Sequence, residues 1–155
     1  MHTISRVKRI KDDKWMTTCG GFSNNILWQA GHIYMIVESF LQKGIPTYDM
    51  RHPELLKYFD DGTSPKDWDI HVPTGNEILQ QLYTQLDWVI PFLESKLDEN
   101  MAEPIIIGNH VMTIDTMEGL VQFLSWHEGT HAGVIYTLNN VECKAQYNEQ
   151  GDQYI

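Results

Sequence analysis

Between residues 24 and 43 the chain carries Ile26, Ala30, Ile33, Val37, Phe40 and Leu41 at three- and four-residue spacing, the pattern of one helix face. The other side of that segment is not polar either, since Trp28, Met35 and Ile36 occupy it together with His32. A helix apolar around most of its circumference must be surrounded, so the remainder of the chain has to supply several elements that pack about it. Ser23 or Asn24 can cap its start, and Gly44 stands where a glycine commonly ends a helix.

The partners are legible as further helices. Thr74-x-x-Glu77 reads as a capping box ahead of Ile78, Leu82, Leu86, Val89, Ile90 and Leu93, which predicts a second helix to about residue 97 with a kink at Pro91. A third is expected from Asp115 through Leu120, Val121, Leu124, Val134, Ile135 and Leu138, weakening at Asn139-Asn140. Ile4, Val7 and Ile10 fit a short amphipathic helix at the start of the chain. Residues 46–73 offer only 53–59 as a helical piece among Asp-Gly and Ser-Pro turn signals. Ile105 to Ile107 is a single β-rich run, too little for a sheet. The expectation is an all-α bundle in one domain over residues 1–155.

Composition narrows the function classes. Lys and Arg number 11 against 21 Asp and Glu, a formal charge of −10, and such a surface is repelled by nucleic acid and by anionic lipid. No apolar stretch is long enough to cross a bilayer and no apolar leader follows the basic start, which predicts a cytoplasmic protein. Cys19 and Cys143 lie 124 positions apart without a C-x-x-C pair, and both are expected as reduced thiols.

Among the seven histidines, His2, His52, His71 and His110 fall at the terminus or in loops and are read as inert. His127 and His131 are four apart on a predicted helix, which brings two rings to one face about 6 Å apart. They fall in the stripe of Leu120, Leu124, Val134 and Leu138, so both point toward the core. Buried imidazoles left unsatisfied cost about 1–3 kcal/mol each; a divalent cation would satisfy both, as would ordinary hydrogen-bonded partners. His32, inside the most buried helix, is the third candidate ligand, and three imidazoles leave a position open for water or substrate. The run His127-Glu128-Gly129-Thr130-His131 also matches the H-E-x-x-H pattern of zinc proteases, with Glu128 as general base. That reading needs a further ligand from the polar tail, where only Glu142 and Glu149 are available, and a strand to edge a cleft. Away from it, Glu128 is a candidate proton acceptor, a partner of a ligand, or a solvated helix residue.

Gly21-Phe22-Ser23-Asn24-Asn25, Trp28 and Gly31-His32-Ile33, followed by Trp126-His127-Glu128-Gly129-Thr130-His131-Ala132-Gly133, resemble in order the DinB/YfiT-like superfamily of metal-dependent proteins. The resemblance covers roughly Trp15 to Leu138. It implies a four-helix bundle in which His32, His127 and His131 bind a divalent metal, zinc or nickel first. Members begin with a longer first helix than the fourteen residues before Trp15 allow, so either the first helix is shortened or the start site is set too late; the apolar surface a shortened helix exposes is expected to be covered in a homodimer or else to leave the domain poorly stable.

The resemblance further implies a thiol-dependent transferase or a hydrolase, with a low-molecular-weight thiol of the bacillithiol or mycothiol kind attacking an electrophile. The partners so implied are small molecules, the thiol and the electrophile, with neither nucleic acid nor membrane. Two other readings stand beside this one. The first is a non-catalytic metal-binding or stress-response bundle; the second is a small H-E-x-x-H metalloprotease.

Overall fold

The computed structural model describes residues 2–108 and 111–141. Its centre is helix α2 (Ile26–Gly44), whose side chains are buried nearly all round. Asn25, one residue later than the expected cap, accepts from Trp28 N at 2.9 Å and starts the helix. At the other end Gly44 is the last helical residue, packed so closely that a Cβ would lie 2.8 Å from the Met101 methyl.

Around α2 stand α1 (His2–Val7), α3 (Leu56–Phe59), α4 (Gly75–Glu94) and α5 (Met117–Asn140), with α2 in contact with α3, α4 and α5. α1 is short, and it lies on α5 and α4 through Ile4 and Val7, both buried. The Thr74–Glu77 capping box opens α4 as the sequence predicts, and Pro91 lies within its last turn. The helical piece expected at 53–59 is present as a 3₁₀ turn, Pro53–Leu55, running into α3.

An all-α reading is incorrect in one place. Strands β1 (Asn100–Ile107) and β2 (Met112–Thr116) form an antiparallel hairpin, with Ile105 opposite Ile114 and Ile107 opposite Met112. Ile105 and Ile114 turn inward against α2 and the start of α5. The strand consumes Asp115, so α5 begins at Met117, capped by Thr116, whose hydroxyl accepts from Gly119 N at 3.1 Å. The fold is therefore predominantly helical with one small sheet.

Two apolar clusters share α2. One gathers Trp15, Leu27, Ile33, Tyr34 and Met35 with Phe59, Leu82 and Ile135; the other gathers Ile36, Phe40 and Leu41 with Val89, Ile105, Leu120 and Phe123. Each fully buried aliphatic or aromatic side chain contributes about 1.5–3 kcal/mol, so both clusters hold α2 firmly. The change-over falls at residues 35 and 36, within a turn of His32. A second correction concerns Cys19. It is buried and disulfide-bonded rather than a free thiol, while Cys143 lies outside the described residues. Separation along a chain sets no limit on pairing in space, and cysteine usage no longer argues for a reducing compartment. Among the described residues no helix is long and apolar enough to cross a membrane.

Candidate metal centre

His32 lies on α2 one turn after Trp28, and the two rings stack with centroids 4.5 Å apart. The carbonyl of Phe59, the last residue of α3, approaches His32 Nδ1 to 2.8 Å. That approach depends on Gly31, because a Cβ there would stand 2.5 Å from the Phe59 ring. The carbonyl is an acceptor only, so Nδ1 carries the proton and Nε2 is left with its lone pair.

His127 and His131 are half-buried on successive turns of α5, with ring centroids 4.4 Å apart. Gln29, on α2 one turn before His32, offers Oε1 to His131 Nδ1 at 2.5 Å. This fixes the second tautomer by the same logic, Nδ1–H donating and Nε2 bare. His131 Nε2 then faces His127 Nε2 at 3.1 Å. One potential ligand atom from each of His32, His127 and His131 lies within 4.8 Å of the other two. The structure thus brings together the three histidines singled out in the sequence.

The donor set fits a divalent ion. Imidazole nitrogens bind zinc at about 2.0–2.1 Å, and two of them 3.1 Å apart subtend roughly 95–102° at such an ion, between octahedral and tetrahedral angles. Both oriented rings present Nε2, and each has a hydrogen-bonded Nδ1, as metal-binding histidines ordinarily do. Without metal the close pair is satisfied by His127 Nε2–H donating to His131 Nε2.

Burial keeps the cluster uncharged. It lowers all three imidazoles from their usual range, His127 to about 3, with His131 and His32 adding to the effect, and His131 to about 4, with His32 contributing. On His32 the same desolvation is opposed by the Phe59 carbonyl and by the carboxylates of Asp61 and Asp60. Neutral imidazoles are the ligand form.

A groove of about 690 Å³ opens beside the rings. Trp28, the turn at Asp60 and Asp61, the strand residues Ile105 to Ile107 and Trp126 all border it. Glu128 does not line it; its Oε1 instead accepts from Thr3 N at 3.0 Å, capping the first turn of α1. Of the histidines set aside in the sequence, His52 and His71 are exposed; the side chain of His2, and the whole of His110, Glu142 and Glu149, lie outside the described residues. Gln29 and Phe59 are the contributors the sequence did not announce. Gln29 is a buried polar residue one turn from His32, a signal that was available; a main-chain carbonyl leaves none.

The family model described as the DinB superfamily matches residues 1–135. No curated protein matches the chain closely enough to lend it an activity.

Proposed function

Because the chain belongs to the DinB superfamily, we propose that it is a metal-dependent enzyme in which His32, His127 and His131 hold one divalent ion, zinc or nickel, beside a small-molecule site. The observation that carries this is the convergence of three neutral imidazoles on the floor of an open groove. A divalent ion held only by neutral ligands keeps its full charge and supplies acidity to a bound thiol or water near neutral pH. The reaction that suits this superfamily is attack of a small thiol on an electrophile, with hydrolysis as the variant in which water replaces the thiol.

The chain's own residues do the positioning. Phe59 O and Gln29 Oε1 hold two imidazoles in the ligating tautomer. The ring of Trp28 and the inner side chains of the hairpin restrict water on two sides of the groove. Glu128 serves as a brace between α5 and α1 rather than as a proton acceptor, which speaks against the protease reading even though β1 supplies the strand that reading requires.

The test is elemental analysis of purified protein followed by a fluorogenic electrophile assay with small thiols. About one divalent ion per chain and a thiol-dependent rate abolished by chelation are expected. Bound metal without any thiol-dependent rate favours the non-catalytic metal-binding alternative. A folded protein that takes up no ion from metal-containing buffer ends both readings.

A further inference from the structure

The groove carries charge unevenly. Its charged lining consists of Asp60, Asp61 and Lys43, of which the aspartates follow the residue bonded to His32 and Lys43 lies far along α2. Asp60 follows Phe59, whose carbonyl oxygen is 2.8 Å from His32 Nδ1, so by peptide geometry its Cα lies within about 6 Å of that nitrogen. Lys43 is eleven residues beyond His32 on α2, about 16 Å along the axis, with its ammonium 5.7 Å from the centre of the Phe40 ring.

An exposed acidic pair on a chain of net charge −10 is ordinarily just solvated surface. This pair differs in what lies beside it and in how it is held. His32 is 5 % exposed and lines the same groove, and among the described residues its Nε2 makes no hydrogen bond. The turn bearing the aspartates is pinned. Thr63 N donates to Asp60 O at 3.2 Å, and the Thr63 hydroxyl lies 2.8 Å from the carbonyls of Tyr58 and Asp60. The same hydroxyl accepts from the Trp28 indole N–H at 2.8 Å, and Trp28 is the residue stacked on His32. Among the described residues neither aspartate takes part in an ion pair. The same groove also presents exposed apolar side chains, Ile106 being 52 % and Trp126 61 % exposed.

We propose that Asp60 and Asp61 form a cation subsite, which selects a guest bearing its positive charge a few bonds from the atom it delivers to the histidine cluster. On the reading given under Proposed function, on which this rests, the guest is an ammonium-bearing thiol, preferred over neutral and anionic ones. The carboxylates meet the ammonium from the rigid turn, and the carbon skeleton lies along Ile106 and Trp126. An anionic group close to the sulfur is repelled at this end of the groove.

The experiment uses the cobalt(II)-loaded full chain and three thiols. They are thiocholine, which is permanently cationic; its uncharged isostere 3,3-dimethylbutane-1-thiol; and 2-mercaptoethanesulfonate. Binding is read from the thiolate-to-cobalt absorption band, in the wild type and in the double variant Asp60→Asn, Asp61→Asn, after cobalt content and melting temperature are matched. The double substitution is expected to weaken thiocholine about five- to tenfold, to leave the isostere unchanged and to tighten the sulfonate. Unchanged thiocholine affinity with the band intact overturns the subsite alone. Failure of the double variant to retain cobalt also overturns it, by making the aspartates part of ion binding. Absence of the band with all three thiols in both proteins overturns the thiol reading, and the subsite with it.

Discussion

His32 and Glu38 stand six residues apart on α2, about 9 Å along its axis, both shielded from solvent, and they differ in where their hydrogen-bonding capacity goes. Glu38 is fully buried, and its carboxylate is closed from three directions. Tyr48 OH donates to Oε2 at 2.5 Å, Arg51 N donates to the same oxygen at 2.9 Å, and Gln85 Nε2 donates to Oε1 at 2.8 Å. These donors tie the 45–51 loop and α4 to α2. His32 commits one nitrogen to Phe59 and turns the other toward two more imidazoles and an open groove. A buried carboxylate whose two oxygens are both met by donors serves the fold. A cluster that leaves lone pairs converging beside a cavity is poised for a ligand, and the contrast separates the two roles along a single helix.

The contrast breaks most visibly if metal and stability fail to separate. His127→Ala is expected to lower metal affinity more than about a hundredfold while the chain still folds, as competition with a chromophoric chelator will show. The converse substitution, Glu38→Leu, removes the acceptor of Tyr48 OH, Arg51 N and one Gln85 N–H, while Gln85 Nε2 keeps its bond to Tyr34 O, and should cost about 2–4 kcal/mol in denaturant unfolding. Metal affinity should stay within about threefold of wild type, since the hydrogen bonds of Glu38 go to Tyr48, Arg51 and Gln85 and those that orient the rings go to Phe59 and Gln29. A parallel loss of metal would mean that the two clusters are not separate devices.

A finer test concerns Gln29, whose side chain, among the described residues, is hydrogen-bonded to His131 alone. Gln29→Leu should weaken metal binding about ten- to a hundredfold, and restoring an acceptor as Glu should recover most of it. The smallest effect is in pH dependence. Burial lowers His127 to about 3 and His131 to about 4, whereas unfolded imidazoles titrate near 6.5. Between those values the unfolded chain binds protons that the folded chain does not, so stability is full above pH 6.5 and declines as pH falls toward 4. Calorimetry of the metal-free protein at pH 7 and pH 5 should show a fall in melting temperature that is smaller in His127→Phe.

Much of this was legible because helices announce themselves locally. The spacing of Ile26, Ile33, Val37 and Leu41 is enough to bury α2, and Thr74 with Glu77 marks the start of α4 within one residue. The hairpin was hidden for physical reasons. Asn100, Glu103 and Pro104 are poor strand residues, inward-facing positions in β1 are irregularly spaced, and the pairing shifts register between Asn100 and Ile105. Its second strand supplies the cap of α5, so Asp115 could pass for the helix start. At the site the His127/His131 spacing was readable from one helix, whereas the Gln29 contact joins residues 102 positions apart and the Phe59 contact uses main chain. Glu128 shows the opposite failure: a motif can match letter for letter while the helix aims its carboxylate at α1.

Helix α2 has scarcely a wetted face, and it holds His32, Gln29 and Glu38 at once. Nearly every position along it answers to packing on several sides, so divergence in this helix is disfavoured at almost every step. Only the exposed positions at the mouth of the groove, Asp60, Asp61, Ile106 and Trp126, can change at little expense to the core. Descendants of this chain would therefore exchange one guest for another by rewriting the mouth, around an axle that stays the same.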